Sequence, residues 1–473
     1  MLYMQILDGI ERYCIRRSVM RIESLDIRKL HNLYDYSVQF KPDLTFLYGS
    51  NGCGKTTILN IIESIVSGRI YDLYAWDFER IRLNYVDDEQ VSCDSMSIQI
   101  SYHNESICVT FNGTNRTIKK EDYIRCCEEA DSFAELFHIM VNKYDFLLEI
   151  KEEFNYVYLP LNRYSGNSAN TYLYRKFMRP VRLRYYYNDF DEHGPTREEE
   201  IGRAAELVQK SYAKASAMVR TINDEFRNSV LKSLLETNAR LSNENFIQFL
   251  VDSTDTTNLD SLKGQYLKLL ASLELLDENE KDKYNQFFQH YKNQVNNLKS
   301  AERKKGGIPV PISLIYDYHE IEKIKTVIPL AQEAEEKKAE ALKRINLFVD
   351  TMNSFICLDE GNKELSIDDT GKIKFTSGGK DINISVNNLS SGEKQLLIFF
   401  ANIVFNVNET QSSIFVVDEP ELSLHLSWQK MFIDKAMMIN QNMQLIFATH
   451  APEIVGRHRN KMVKLVKKIH EED

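Results

Sequence analysis

Gly49-Ser-Asn-Gly-Cys-Gly-Lys-Thr56 fits the pattern G-x-x-x-x-G-K-[ST]. A short apolar run, Leu44-Thr-Phe-Leu-Tyr, precedes it and reads as a strand. An apolar segment, Thr57-Ile-Leu-Asn-Ile-Ile, follows and reads as a helix. Strand, loop and helix in that order are what a phosphate-binding loop requires. The glycines let the backbone curl so that successive N–H groups face phosphate oxygens, and the helix N-terminus adds partial positive charge. On this reading Gly49, Ser50, Asn51, Gly52, Cys53, Gly54, Lys55, Thr56 and Thr57 hold a nucleotide, ATP. Lys55 reaches its β- and γ-phosphates, and Thr56 offers a hydroxyl to Mg2+.

Three further segments lie toward the C-terminus. In Ile414-Phe-Val-Val-Asp418-Glu419-Pro, four apolar residues form a buried central strand whose end delivers two acids. Asp418 is expected to hold Mg2+ through water, and Glu419 to polarise an attacking water. Leu389-Ser-Ser-Gly-Glu-Lys-Gln395 is, by itself, a serine cap followed by a helix. His450 follows the apolar strand Gln444-Leu-Ile-Phe-Ala and Thr449, where an isolated histidine is ordinarily structural.

Taken together and in this order, the four segments resemble the ABC ATPase superfamily. The 389–395 segment is similar to its LSGGE signature, with Ser391 at the first glycine, and His450 falls at the switch-histidine position. The resemblance implies an α/β ABC-type ATPase head, a mixed sheet covered by helices, with an all-helical insertion. It implies that Ser390, Ser391, Gly392 and Glu393 of one copy cover the nucleotide held at Lys55 of another, so that the chain works as a homodimer or higher oligomer. Lys55, Glu419 and His450 would then form the catalytic set, with Thr56 and Asp418 on the metal.

The branch is read from Asp418-Glu-Pro-Glu-Leu-Ser-Leu-His425. Transporter ATPases usually end this stretch in Ala-Leu-Asp, which makes a transporter motor the weakest reading. The pattern looks like the soluble AAA-type ABC ATPases of the OLD, RecF and SMC group, with Leu426 where that group carries proline. Thr449-His-Ala-Pro-Glu-Ile454 is similar to the same group's Thr-His-Ser-Pro-Glu-Ile. Residues 451–473 are too few for the Toprim domain of OLD nucleases, and no His-Asn-His constellation is visible. Nuclease activity is therefore not expected from this chain alone. The chain is most similar to the ATPase subunits (PtuA) of Septu anti-phage systems, also found with some retrons, which work beside a separate HNH nuclease. That resemblance implies such a partner and a slow, regulatory ATPase. A RecF/SMC-like repair ATPase that clamps DNA is the alternative. Tyr158-Leu-Pro-Leu-Asn-Arg163 looks like the relatives' Tyr-Leu-Pro-Thr-Tyr-Arg, departing at Leu161 and Asn162. Asn162 and Arg163 either line the nucleotide, couple to the helices, or form a solvated turn.

Composition bounds the rest. At ~150 residues per domain, a chain of 473 residues suggests about three segments. We place them at 1–195 (N-terminal lobe), 196–355 (helical insertion) and 356–473 (C-terminal lobe). With 43 % hydrophobic and 27 % charged residues the chain can bury a large core, which excludes wholesale disorder. The net charge of −10 excludes a polyanion-coating protein, so any nucleic-acid contact must be a local patch. One candidate patch is Arg175, Lys176, Arg179, Arg182 and Arg184, interleaved with tyrosines. It suits DNA or tRNA, an acidic partner or neighbouring copy, or an ordinary ion-paired surface. Seven cysteines without C-x-x-C argue against a zinc site or a disulfide framework. No apolar run approaches the ~18 residues of a membrane span, and the N-terminus does not read as a secretion signal, so no membrane contact and a cytoplasmic location are expected.

Among the elements, Arg21-Ile-Glu-Ser-Leu-Asp-Ile reads as a half-buried strand, and 97–111 as a hairpin around His103-Asn-Glu-Ser. Strands are expected at Glu364-Leu-Ser-Ile, Lys372-Ile-Lys-Phe and Ile382-Asn-Ile-Ser-Val, and a closing edge strand at Met462-Val-Lys-Leu-Val. The first insertion helix carries Ile201, Ala204, Val208, Ala215, Met218, Ile222, Phe226 and Val230 on one face. A later helix is expected to start near Pro329, an allowed first-turn position, with Glu333 to Lys338 as a solvated face. The insertion reads either as a short antiparallel hairpin or as a helical subdomain.

Overall fold

The structure is a computed structural model. It describes residues 20–87, 96–130, 132–160, 197–235, 256–272, 276–302, 311–357, 363–377, 380–382, 384–406, 413–439 and 442–470. Asn162, Arg163 and the basic patch 172–187 lie outside the described residues. The chain divides into two compact units, Met1–Ser211 with Asn346–Asp473, and Tyr212–Ile345.

Among the described residues the first unit holds three sheets. One is antiparallel and seven-stranded, built from β1 (Met20–Leu30), β2 (Tyr34–Gln39), β4 (Arg80–Asp87), β5 (Met96–His103), β6 (Ser106–Phe111), β7 (Thr114–Lys119) and β15 (Lys468–Ile469), in the order β15-β2-β1-β4-β5-β6-β7. Its strands alternate between buried and partly exposed positions because only one face meets the core. In β1 the alternation slips at a bulge between Ile22 and Ser24, so Ser24 and Leu25 are both buried. The expected hairpin is present, its strands joined at His103 and Ser106 through Asn104 and Glu105, both at positive φ. Asn112-Gly113 makes a second such turn, at φ 48° and 72°, which the sequence reading passed over.

The second sheet is parallel and five-stranded: β14 (Met462–Lys464), β3 (Leu44–Tyr48), β13 (Met443–Ala448), β12 (Ser413–Asp418) and β8 (Tyr156–Pro160), in that order. Every residue of β12 and β13 is buried, as central parallel strands require. Ile414 and Val416 of β12 pack into a core with helix α1 (Lys55–Val66) and the antiparallel sheet. Phe415 and Val417 pack on the other face against helices α9 (Ser391–Phe405) and α10 (Leu426–Ile439). The expected edge strand near the C-terminus is β14, which pairs with β3 but stops at Lys464. The chain then reaches the other sheet, where β15 pairs with β2.

The third sheet, β9 (Lys363–Ile367), β10 (Ile373–Ser377) and β11 (Lys380–Ile382), is antiparallel. Here the expected strand from Ile382 to Val386 is corrected: pairing ends at Ile382, and Val386–Asn388 forms a 3-10 turn capped by the Ser385 hydroxyl, which accepts from the Asn387 N–H. Serine side chains offer the backbone such an alternative to a ladder.

Four long helices span the second unit or enter it: Arg197–Leu235, Thr256–Ser272, Glu278–Glu302 and Ile312–Ile356. The first and last are 39 and 45 residues long, longer than a short hairpin would need. On the first helix Ile201, Ala204, Val208 and Ala215 are buried, whereas Met218 is 51 % exposed. The start near Pro329 is also corrected, because the helix begins at Ile312 and carries Pro329 inside it. Leu314, Ile321, Ile324 and Ile328 pack with Phe288, Tyr291 and Val295, and that burial outweighs the ~3 kcal/mol that an interior proline costs. The expected solvated face carries the pairs Glu333–Lys337 at 2.7 Å and Glu335–Lys338 at 2.9 Å. Among the described residues no helix is long and apolar enough to cross a membrane.

Candidate functional site

The C-terminal ends of the parallel strands lie in one row. Val463, Leu47, Ala448, Asp418 and Pro160 are register partners across the five strands. The segments that begin at Gly49, Glu419 and Thr449 therefore all leave the same edge, where open α/β sheets bind ligands.

Beyond β3 the loop curls as its glycines permit. Gly52 lies at φ 75° and Gly54 at φ 99°, both left-handed, and Gly54 caps α1. A Cβ on Gly54 would come within 2.9 Å of the Tyr36 hydroxyl, which donates to the Cys53 carbonyl at 3.1 Å. Burial pushes the Tyr36 phenol up to about 12, with repulsion from Cys53 and Tyr34 adding to it, so it remains a donor at neutral pH. Lys55 is buried, and its Nζ donates to the Gly49 carbonyl at 3.2 Å. The first turn of α1 holds no acid, which leaves its N-terminal partial charge uncompensated.

Thr56 donates its hydroxyl to Asp418 Oδ2 at 2.9 Å, joining the loop to the end of β12. Burial raises the Asp418 carboxyl to about 6. The Thr56 hydrogen bond and Lys55 pull it down, while Glu419 and Glu421 push it up. Glu419 sits at φ 49°, a strained conformation for a residue with a long side chain, and its N–H donates to the Ala448 carbonyl at 2.8 Å. The exposed His450 donates its N–H to Glu421 Oε1 at 2.7 Å. Glu421 Oε2 is buried and has no hydrogen-bond partner among the described residues.

Ser390 caps α9 and forms a capping box with Glu393. Burial pushes the Glu393 carboxyl up, but Lys363 at 2.7 Å and the Ser390 N–H hold it below its ordinary value. Gln395, 1 % exposed, donates to the Pro420 carbonyl at 2.7 Å. A Cβ on Gly392 would lie 2.6 Å from the Ser423 carbonyl oxygen and 3.0 Å from the Trp428 ring. The segment 390–395 is thus braced on the turn after Glu419. Thr56 and Asp418 are brought into direct contact, while Glu419 and His450 stand at the ends of adjacent strands.

The AAA ATPase domain family model matches residues 20–455. This chain belongs to the AAA ATPase domain family. It is 31 % identical over 96 residues to the "Retron Ec83 probable ATPase" of Escherichia coli, covering 18 % of each chain. It is 40 % identical over 55 residues to the DNA replication and repair protein RecF of Desulfitobacterium hafniense, covering 12 % of this chain and 15 % of that one. The chain thus spans about a fifth or less of the length of these curated relatives. A Smc head domain of Pyrococcus furiosus, solved bound to the C-terminal domain of ScpA, shares 13 % identity with it at a TM-score of 0.38, covering 95 % of this chain and 96 % of that one. The AAA ATPase head is α/β, with long helices between its sheets in the sequence, and short stretches of it are similar to a retron ATPase and to RecF.

Several contacts of this ATPase head were not legible as functional residues. Tyr36 reads as a strand residue, yet its hydroxyl holds the 49–54 loop through the Cys53 carbonyl. Gln444 reads as one polar residue in an apolar strand. It is fully buried, and it accepts from the Ile22 N–H at 2.9 Å and donates to the carbonyls of Ile22 and Lys41 at 2.8 and 3.0 Å. Glu421 reads only as one acid of the 418–425 stretch. Its second acid after Asp418 was the available signal, but its bond to His450 depends on a pairing nearly thirty residues away.

Proposed function

We propose that this ATPase binds ATP with Mg2+ between two copies and regulates a separate HNH-type nuclease in anti-phage defence. The observation that carries the nucleotide half is the 2.9 Å contact between Thr56 and Asp418, beneath a curled loop with a buried lysine. A hydroxyl and a buried carboxylate of raised affinity for protons, beside a curled glycine loop at a helix N-terminus, fit a divalent cation and the phosphates beside it. Mg2+, when bound, supplies charge neutralisation at the phosphate oxygens. Residues 49–57 hold the phosphates, with Lys55 placing a positive charge in the loop. Thr56 and Asp418 hold the metal. Glu419 orients and deprotonates a water, and His450 donates toward the terminal phosphate. Ser390, Ser391, Gly392 and Glu393 of one copy face the site at Lys55 of its partner, with 196–355 as an insertion between lobes 1–195 and 356–473.

The defence half is supported by the similarity to a retron ATPase. Co-expression with the product of the adjacent gene, followed by mass measurement with and without ATP, tests both halves: an HNH protein is the expected product. A larger complex that forms or dissociates with ATP is the expected result. A mass indifferent to ATP, with no HNH protein retained, would reject the reading. The RecF-like stretch favours one second reading, a repair ATPase that clamps DNA directly. Salt-sensitive DNA binding by the isolated chain, lost on replacing Arg179 and Arg182, would decide for it.

A further inference from the structure

The outer face of the antiparallel sheet holds a groove of about 370 Å3, away from the strand ends described above. It is lined by Arg28, Arg80, Arg82 and Lys468 together with Asp26 and Asp35. Arg28 stands directly opposite Arg80 across β1 and β4. Like charges so placed destabilise a sheet unless something between them compensates. The two acids offset these charges only in part, two carboxylates against four cations, and each is also engaged elsewhere. Asp26 accepts from the Ser37 hydroxyl at 2.6 Å. Asp35 accepts from the Lys29 N–H and pairs with His470, each at 2.8 Å. Those bonds, with a lesser contribution from Arg28, offset the effect of burial and hold the Asp35 carboxyl below its ordinary value.

Arg28, Arg80, Arg82 and Lys468 form no ion pair among the described residues. Arg82 is the register partner of Asp26, yet its Nε is buried and has no hydrogen-bond partner there. An arginine with a buried unpaired donor, beside two more unpaired arginines and a lysine, is a site short of an anion. We infer that this groove binds a small phosphate-bearing anion, of about the size of pyrophosphate, at a second site distinct from the phosphate loop. Guanidinium forks on neighbouring strands match phosphate oxygens two at a time, and the strand spacing of about 4.8 Å suits adjacent phosphates. The groove is also mechanically close to the loop. Asp35 and Ser37 flank Tyr36 on β2, and Tyr36 holds the Cys53 carbonyl.

The test uses the full chain carrying Lys55→Ala, so that the phosphate loop does not answer, and titrates it calorimetrically with inorganic pyrophosphate. One saturable site is expected. Arg80→Gln and Arg82→Gln, each added singly, should weaken it by about tenfold or more, and added salt should weaken it further. Arg28 is exposed, so Arg28→Gln carries the same test if Arg82→Gln perturbs folding. Absence of saturable binding, or binding unchanged by these substitutions in proteins of unaltered melting temperature, would overturn the inference. So would binding of a duplex oligonucleotide without binding of pyrophosphate. ATP binding by the parent chain is read separately, so failure here leaves the phosphate-loop reading untouched.

Discussion

Asp418→Asn should make the ligand-free protein more stable at neutral pH while removing its response to Mg2+. Asp418 is 2 % exposed, and its carboxyl is raised from 3.8 to about 6, chiefly by burial and then by repulsion from Glu419 and Glu421. A group whose folded-state value lies above its unfolded value stabilises the fold below the unfolded value. That stability is lost as pH rises through the folded value. The window here runs from about pH 4 to about pH 6. At 1.36 kcal/mol per unit, holding Asp418 ionised above that window costs the fold on the order of 3 kcal/mol. Asparagine is isosteric, carries no charge, and keeps an oxygen to accept from Thr56. In a unit of about 340 residues, with ~2 cal/mol/K of unfolding entropy per residue, 3 kcal/mol is worth about 4 °C of melting temperature. The assay is thermal unfolding of parent and Asp418→Asn without nucleotide or metal, from pH 4.5 to 8. The gap should open as pH rises toward 7 and then level off. Mg2+ added to the ATP-bound proteins should raise the parent's melting temperature further and leave the variant's unchanged. A variant that melts at or below the parent at pH 7.5, with no dependence on pH, would refute the argument that Asp418 is a burdened acid awaiting a cation.

Lys55→Ala should weaken ATP binding by at least about 100-fold; unchanged affinity by equilibrium dialysis would remove the phosphate-loop assignment. Glu419→Gln should slow turnover by about 100- to 10,000-fold while ATP keeps the copies associated, and parental turnover would remove Glu419 as the water-activating group. Glu421→Ala should leave nucleotide affinity intact but slow turnover by about tenfold, because the His450 N–H loses its acceptor. Glu421→Gln keeps an acceptor and should restore most of that rate, so equal rates in the two variants would count against a positioning role. Gly392→Ala should cost about 1–3 kcal/mol in a urea titration, since its Cβ would meet a backbone carbonyl oxygen at 2.6 Å that cannot turn aside.

What the sequence discloses here depends on how local each cause is. The strand, curled loop and helix of residues 44–66 were legible because glycine positions, an adjacent apolar strand and a following helix are set locally. Ile414 to Val417 reads as a central strand because burial on both faces leaves no alternation. The helix around Pro329 was misplaced because proline's local preference for a first turn is overruled by Ile321, Ile324 and Ile328 packing on residues of another helix. The strand expected through Val386 fails for the opposite reason, since the Ser385 hydroxyl supplies a local partner that the ladder would have had to displace. Asn112-Gly113 was legible by its dipeptide and was overlooked. Gln444 and Glu421 were not legible, because their roles lie in partners about 420 and 30 positions away.

Some of the broken local rules gather at one row of strand ends, although others lie in the turns of the antiparallel sheet and at Arg82. Gly54 at φ 99°, Glu419 at φ 49° and Ser423 at φ 71° all lie on the loops leaving one row of strand ends. So do the buried Glu421 oxygen without a partner and the Asp418 carboxyl raised to about 6. Away from that row a buried polar residue such as Gln444 is fully bonded, by three hydrogen bonds that tie β13 to the chain of the antiparallel sheet. A chain that can satisfy a buried glutamine this completely is not short of means to satisfy an acid. The strain gathered at these acids points to something outside the chain that relieves it. On the proposed reading that something is a cation with a triphosphate. A cation bound there relieves up to the ~3 kcal/mol held at Asp418, and that gain is available to draw a second head onto Ser391 and Gly392. A head so arranged would bind metal-free nucleotide without associating, because nothing would then relieve Asp418. Sedimentation with ATP and a chelator should show monomers, and adding Mg2+ should shift the same sample to the associated form. Association of equal strength under both conditions would mean that the strain at this row is not what couples occupancy to assembly.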